Sequence, residues 1–124
     1  MIENVRISEK AKNQLITLKR RTGIQNWNVL CRWAYCLSLR EKSPPPPENI
    51  ATDSSVEMSW KTFAGSDENL YLSLLIHRGR KEGVKIDKIN LNNYFKLHLH
   101  RGISYLNSAP SSSIESLLAG FIKE

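Results

Sequence analysis

The residues best suited to chemistry in this sequence are two cysteines and three histidines, and their spacing decides what chemistry they could do. Cys31 and Cys36 are five residues apart, which on a helix rotates them about 140° from each other, so they do not pair or share a zinc ion. His98 and His100 lie two residues apart, on different sides of the helix predicted around them, and His77 is isolated. A thiol in the apolar middle of a helix has a raised pKa and is inert. The pattern therefore predicts structural cysteines and structural or surface histidines rather than a metal site or a nucleophile.

Other catalytic signatures are missing from the sequence. Six serines fall between positions 104 and 116, but none stands in a GxSxG nucleophile elbow, and helix capping and turns account for them. No glycine-rich phosphate loop occurs. We therefore predict a protein that is not an enzyme and that needs no cofactor and no metal.

Charge is the most informative property of the chain, which has 124 residues and a net charge of +6. Residues 1–40 hold eight bases and two acids, whereas residues 41–124 hold ten of each. A basic field confined to one third of a chain favours a polyanionic partner, nucleic acid before membrane; a solvated helix face is the simpler alternative. No apolar run approaches the roughly 20 residues of a membrane span, and no signal sequence opens the chain. We predict a cytoplasmic protein without membrane contact.

The basic segment reads as a short strand followed by two helices. Val5 and Ile7 alternate with Arg6, which is typical of a strand with one buried face. A first helix is predicted between an N-cap at Ser8 and a stop at Gly23, with the apolar line Ala11, Leu15 and Leu18. A second helix is predicted from the cap at Asn26 to about Arg40. This order is that of a ribbon-helix-helix unit, here residues 1–42.

The second helix is apolar almost all round, in the stretch NWNVLCRWAYCLSL, whereas an ordinary surface helix keeps a polar face. Something must cover it. In a ribbon-helix-helix unit, a second copy pairs with the strand and packs on this helix, so a single copy leaves its strand unpaired. The alternative is that the second half of the same chain provides the cover.

The rest of the chain predicts a single domain, residues 1–124, with a mainly α fold. Residues 43–48, SPPPPE, form a stiff proline-rich spacer. Residues 49–124 are predicted to form a helical C-terminal half packed on the basic unit: a short strand near Trp60, a helix from about Asp67 to Gly83, a helix from Asn90, and a last helix capped by SSIE at 112–115. Three leucines are predicted to face inward on the helix that begins near Asp67: Leu70, Leu74 and Leu75. Five apolar residues share one face of the helix that begins at Asn90: Leu91, Phe95, Leu99, Ile103 and Leu106.

The sequence resembles the DndE family, small DNA-binding members of the bacterial DNA sulfur-modification (phosphorothioation) systems, which are linked to restriction-modification. The resemblance is carried by VRISEKAKNQLITLKRRTGIQNWNVLCRWAYCLSL, by the proline tract and by SSVEMSWKTFAG. It is strongest between Val5 and Leu39, and its most specific part is NWNVLCRWAYC. It implies a homotetramer with a ribbon-helix-helix-like fold. It also implies a non-catalytic partner of the other sulfur-modification proteins that binds duplex DNA, particularly nicked duplex.

The resemblance supplies no contact residues, so candidates are chosen from the sequence itself. The predicted DNA-binding residues are the cations of the strand and the first helix: Arg6, Lys10, Lys12, Lys19, Arg20 and Arg21. The predicted oligomer core lies on the second helix: Trp27, Leu30, Trp33 and Leu37. Whether Arg78, Arg80 and Lys81 join the DNA face is left open.

Two other functions remain as alternatives. One is a ribbon-helix-helix transcriptional regulator or antitoxin that reads a base sequence through its strands. The other is an assembly adaptor that binds no DNA and whose basic face meets an acidic partner. Phosphate contacts position a protein without reading sequence, and the cations of the first helix are better suited to that role, which favours structure-selective binding.

Overall fold

The N-terminal third folds in the predicted order of strand, helix and helix. The computed structural model describes residues 1–109, with β1 at Asn4–Arg6, α1 at Glu9–Thr22 and α2 at Trp27–Arg40. Ser8 caps α1 by accepting a hydrogen bond from the backbone N–H of Ala11 at 3.0 Å. Gly23 ends α1 with a φ of 76°, a left-handed conformation that glycine adopts without strain. The caps proposed for the first helix are therefore confirmed.

The partner of β1 lies in the same chain. β2 spans Glu57–Ser59 and runs antiparallel to β1, with Val5 opposite Met58. The expectation that a single copy leaves its strand unpaired is therefore wrong. Because the chain returns after the proline tract, the backbone N–H of Trp60 also reaches the carbonyl of Glu3, at 2.8 Å.

Three further helices complete the described part of the molecule: α3 at Trp60–Ala64, α4 at Glu68–Lys81 and α5 at Lys88–Ser108. The chain is thus mainly helical, as predicted. α5 begins after Asp87, whose carboxylate accepts a hydrogen bond from the backbone N–H of Asn90 at 2.8 Å. All five apolar residues predicted for the inner face of this helix are buried, because α5 packs against α1, α2 and α4.

α5 also covers one face of the apolar second helix. The buried residues of α2 are Leu30, Cys31, Ala34, Tyr35 and Ser38. The two helices approach so closely at Gly102 that a Cβ placed there would lie 1.7 Å from the carbonyl oxygen of Ala34. Cover for this face therefore comes from the second half of the same chain, which was the alternative to a second copy. Trp27, Trp33 and Leu37 are only half-buried.

Aromatic rings join the remaining elements to this core. Tyr35 on α2 lies with its ring centroid 5.2 Å from that of Phe95 on α5 and 5.7 Å from that of Phe63 on α3. The ring of Tyr71 on α4 lies 6.0 Å from that of Tyr35. These edge-on and tilted pairs are the favoured arrangements of aromatic side chains, so a single cluster ties four helices together.

Two predictions about the second half need correction. Leu70 and Leu74 are 54% and 39% exposed, and only Leu75 of the three leucines predicted inside is buried. α4 contacts the core through the face of Tyr71, Leu75 and Gly79 instead. The strand predicted near Trp60 ends at Ser59, and Trp60 itself begins α3, which is capped by Ser59, whose hydroxyl accepts from the N–H of Thr62 at 3.0 Å.

The helix predicted from the SSIE box lies outside the described residues. Within residues 1–109, no helix has both the length and the apolar composition to cross a membrane.

Candidate nucleic-acid interface

The predicted DNA-binding cations divide between two edges of α1. Since Leu15 and Leu18 are buried, the helical rotation of 100° per residue fixes where the other side chains point. Lys12 and Lys19, seven residues apart, lie on one edge of the buried face, and Lys10 and Arg21 lie on the other. Arg20 points outward between them and is exposed. The tertiary fold therefore does not gather these cations into one cluster.

The edge that carries Lys12 and Lys19 borders a groove. Its walls come from α1, from the first turn of α2 and from the segment around β2, and it is lined by Lys12, Trp27, Val56, Glu57, Met58 and five uncharged polar residues. Those polar residues are Gln25, Asn26, Asn28, Ser55 and Thr62. Lys12 donates a hydrogen bond to the hydroxyl of Ser55 at 3.1 Å, and the ammonium of Lys19 lies 3.7 Å from the ring centroid of Trp27. Amide, hydroxyl and ammonium groups are those that proteins use to contact phosphates and sugars.

Arg21 has a structural role that the sequence did not reveal. Its guanidinium donates hydrogen bonds to the carbonyls of Asn107, at 2.8 Å, and Ala109, at 2.6 Å. These carbonyls lie at the C-terminal end of α5, where backbone acceptors lack partners within the helix and where the helix dipole favours a cation. Arg21 therefore holds the ends of α1 and α5 together.

Arg6 stands on β1 and faces an acid. Its guanidinium lies 3.9 Å from the carboxylate of Glu57 on β2, and both side chains are about half exposed. The side chains of Lys10 and Arg20, by contrast, are exposed and make no hydrogen bond or ion pair with any residue in the described part of the chain. The ammonium of Lys19 contacts the ring of Trp27 but makes no hydrogen bond there either, so three of the six candidates keep their full hydrogen-bonding capacity for a ligand.

The cations at the end of α4 also differ in their contacts. Arg78 donates to the carbonyl of Leu39 at 2.7 Å and to that of Glu41, and it forms an ion pair with Glu82 at 2.7 Å. These carbonyls belong to the last turn of α2 and to its C-cap, so Arg78 completes the hydrogen bonding of that helix end. Arg80 and Lys81 are exposed.

A second arginine that bonds to the end of α2 could not be predicted from the sequence. Arg101 of α5 donates to the hydroxyl of Ser38 at 2.9 Å and to its carbonyl at 2.8 Å. Another hydrogen bond joins Arg101 to the carbonyl of Ser43 at 2.8 Å, where the proline tract begins. No local pattern marks this residue, because its partners lie about 60 residues away in the sequence.

The thiols are unsuited to nucleophilic chemistry. Burial raises the pKa of the Cys31 thiol to about 12. Burial also raises the pKa of Cys36, an effect that the nearby Arg32 partly opposes. Both thiols therefore stay protonated at neutral pH, as their position in an apolar helix predicted.

His98 and His100 have structural contacts. The hydroxyl of Ser38 accepts from Arg101 and lies within hydrogen-bond distance of Nδ1 of His98, at 2.8 Å. Burial, together with Arg101 and Arg78, lowers the pKa of His98 to about 4. His100 accepts a hydrogen bond from the backbone N–H of Ser8 at 3.1 Å. Residues 1–109 hold no group of three or more histidine, cysteine or acidic side chains arranged to bind a metal ion.

The proposed oligomer residues also lie in different environments. Leu30 is 1% exposed within the single chain, so it has little surface left for contact with a second copy. Trp33 and Leu37 are half-buried and pack against the edge of the core. Trp27 lies in the groove beside Lys19.

A family model described as "DNA sulphur modification protein DndE" matches residues 4–113. That match covers nearly the whole chain. The protein belongs to the DndE family. It is therefore a member of a DNA phosphorothioation system, as the resemblance of its N-terminal half implied.

Solved structures of the DndE family share the fold. The crystal structure of DndE from Escherichia coli B7A, described as involved in DNA phosphorothioation modification, matches with a TM-score of 0.73 at 21% identity, over 86% of this chain and 98% of that one. A DndE variant with two glycine-to-lysine substitutions, also described as involved in DNA phosphorothioation, matches with a TM-score of 0.69 at 18% identity, over 88% of this chain and 100% of that one. A search of curated proteins finds no match.

Proposed function

We propose that this DndE family member is a non-catalytic DNA-binding component of its phosphorothioation system. It would bind duplex DNA, preferentially nicked duplex, through the outward face of α1 and the adjoining groove. The observation that carries this proposal is a groove of amides and hydroxyls that is lined by Lys12 and by Trp27, whose ring Lys19 covers, with the exposed Arg20 on the same helix as these lysines. The other sulfur-modification proteins of the system would supply the chemistry.

Phosphate contact is favoured over base reading. β1 has three residues and its partner is β2 of the same chain, so the intermolecular strand pair with which ribbon-helix-helix regulators read bases does not form in the same way. Arg6, the cation on this strand, faces Glu57. Cations that contact the phosphate backbone of a duplex position the protein and carry no direct sequence information. The regulator and the DNA-free adaptor remain the alternatives to be tested.

A homotetramer would multiply this basic field. Large apolar side chains remain accessible on α2, at Trp33 and Leu37, and on α4, at Leu70 and Leu74. Exposed apolar side chains mark an interface when they form one patch, so the homotetramer requires these residues to meet a partner copy. Sedimentation should give the mass of an oligomer at micromolar concentration, and Trp33→Ala should lower that mass or destabilise the protein by up to about 3 to 5 kcal/mol. A wild-type monomer at that concentration would refute the assembly without affecting DNA binding by the single chain.

DNA binding is tested by titrating fluorescent duplexes, nicked and intact, in two unrelated sequences and at several salt concentrations. Counterion release makes log affinity fall linearly with log salt, by about 0.9 per neutralised phosphate. We expect steep salt dependence, similar affinity for both sequences and tighter binding to nicked duplex. A strong preference for one sequence would favour the regulator, since a mismatch costs a base reader about 1 to 3 kcal/mol. Absence of binding to every duplex would favour the adaptor.

Substitutions of single arginines make the test specific to this surface. Arg20→Ala should weaken binding on both sequences and reduce the salt slope by about one, while leaving the melting temperature unchanged. Arg21→Ala should lower the melting temperature, because it removes two hydrogen bonds to the end of α5. Arg80→Ala is the matched control, an exposed arginine on α4. If Arg80→Ala weakened binding as much as Arg20→Ala, the proposed surface would be wrong.

A further inference from the structure

Trp27 stands out in the groove because a cation covers its ring. It is the first residue of α2 and is half-buried. The ammonium of Lys19 lies 3.7 Å from the ring centroid, as in cation–π pairs of lysine and tryptophan. Lys19 and Trp27 are both only partly buried, so water and ligands can reach this pair.

A phosphate in the groove would compete for Lys19. At an exposed site a cation–π contact is weak, whereas a hydrogen bond between an ammonium and a phosphate is charge-assisted and stronger. The lysine stem is flexible, so its ammonium can turn toward a phosphate. That movement would uncover the ring face of Trp27 in the immediate neighbourhood of the bound backbone.

We infer that Trp27 stacks on a nucleobase at the nick, an inference that rests on the proposed DNA binding. Bases in an intact duplex are stacked on both sides and tied to their neighbours by both strands. At a nick one strand is interrupted, so a base beside it leaves the stack at lower cost. An aromatic side chain accepts any base because every base has a π face, which gives selectivity for the nick without selectivity for sequence.

The surroundings of Trp27 fit this role. Asn26 and Asn28 flank it in the sequence and line the same groove, where their amides can bond to phosphates or to a displaced base. The carboxylate of Glu57 also lies in the groove, and Arg6 at 3.9 Å offsets its charge. Lys12 adds a second cation at the same wall.

The inference is tested with two variants, Trp27→Leu and Trp27→Phe, and with nicked and intact duplexes of one sequence. Stacking on an aromatic ring changes affinity by about tenfold. We expect Trp27→Leu to weaken binding to nicked duplex by about tenfold and binding to intact duplex by less than about twofold. Trp27→Phe keeps an aromatic face and should retain much of the preference for the nick. Thermal melting identifies any loss of folding; if Trp27→Leu unfolds, the Phe variant and the fluorescence readout below provide the test.

Tryptophan fluorescence gives a second readout. Nicked duplex should quench the wild type more than intact duplex does, and this difference should disappear in Trp27→Phe, in which Trp33 and Trp60 remain. Arg20→Ala should weaken binding to both duplexes equally, and nicked duplex should still quench its fluorescence more than intact duplex does. If Trp27→Leu bound with the wild-type ratio of nicked to intact affinity and an unchanged salt slope, stacking would be overturned while the proposed function stood. If the wild type bound neither duplex, the stacking of Trp27 and the proposed DNA binding would both be refuted.

Discussion

Replacing Gly102 by alanine tests how the fold is held together. A Cβ at this position would lie 1.7 Å from the carbonyl oxygen of Ala34 and 2.3 Å from its carbonyl carbon, whereas atoms in favourable contact are about 3.5 Å apart. The obstacle is backbone, so a side-chain rotation cannot relieve it. α2 and α5 would have to separate by more than about 1 Å, and a gap of that size already loses about half of the dispersion energy across an interface.

The expected cost exceeds the usual 1 to 3 kcal/mol of an overpacked core. We expect Gly102→Ala to lower the free energy of unfolding by more than about 3 kcal/mol, a large part of the 5 to 15 kcal/mol typical of a domain. Urea denaturation followed by circular dichroism measures it.

Gly79→Ala is the matched control, because it too is a buried helical glycine. Its added Cβ would meet only side-chain atoms, the nearest being Val84 Cβ at 3.4 Å. Alanine is favoured over glycine in a helix by about 0.5 to 1 kcal/mol, so this variant should be at least as stable as the wild type. A Gly102→Ala protein with wild-type stability would refute the close contact between α2 and α5.

Three other perturbations follow from the structure. The pKa of His98 is lowered to about 4 in the folded protein, so the unfolded chain binds a proton at higher pH than the folded chain does. The free energy of unfolding of the wild type should therefore fall by up to about 3 kcal/mol as the pH drops from about 6.5 to 4. Urea titrations should find a flatter pH profile for His98→Gln, and equal profiles for the two proteins would contradict this. Arg78→Ala should lower the free energy of unfolding by about 2 kcal/mol, because it removes charged hydrogen bonds to the end of α2. The control is Arg80→Ala, which should change the free energy of unfolding by less than about 0.5 kcal/mol. Cys31→Ser and Cys36→Ser should preserve DNA binding and sulfur incorporation apart from a loss of stability, and a persulfide on either thiol would contradict the non-catalytic role.

The sequence by itself determined the elements whose signals are local. Ser8 and Gly23 mark the two ends of α1, because a cap acts on backbone groups within four residues of it. The inner face of α5 follows from its apolar spacing, and the basic character of the first third follows from counting charges. The inert thiols also follow locally, from their place in an apolar helix.

Only the tertiary structure decided which cations are available and what covers the apolar helix. Arg21 and Arg78 look like other basic residues in the sequence, yet they bond to helix ends 86 and 39 residues away. The pairing of β1 with β2 spans about 50 residues, and the burial of Leu75 rather than Leu70 depends on which face of α4 meets the aromatic cluster. Such contacts depend on where the chain returns in space, because a carbonyl at a helix end accepts a hydrogen bond from any donor of suitable shape and charge that the fold brings to it.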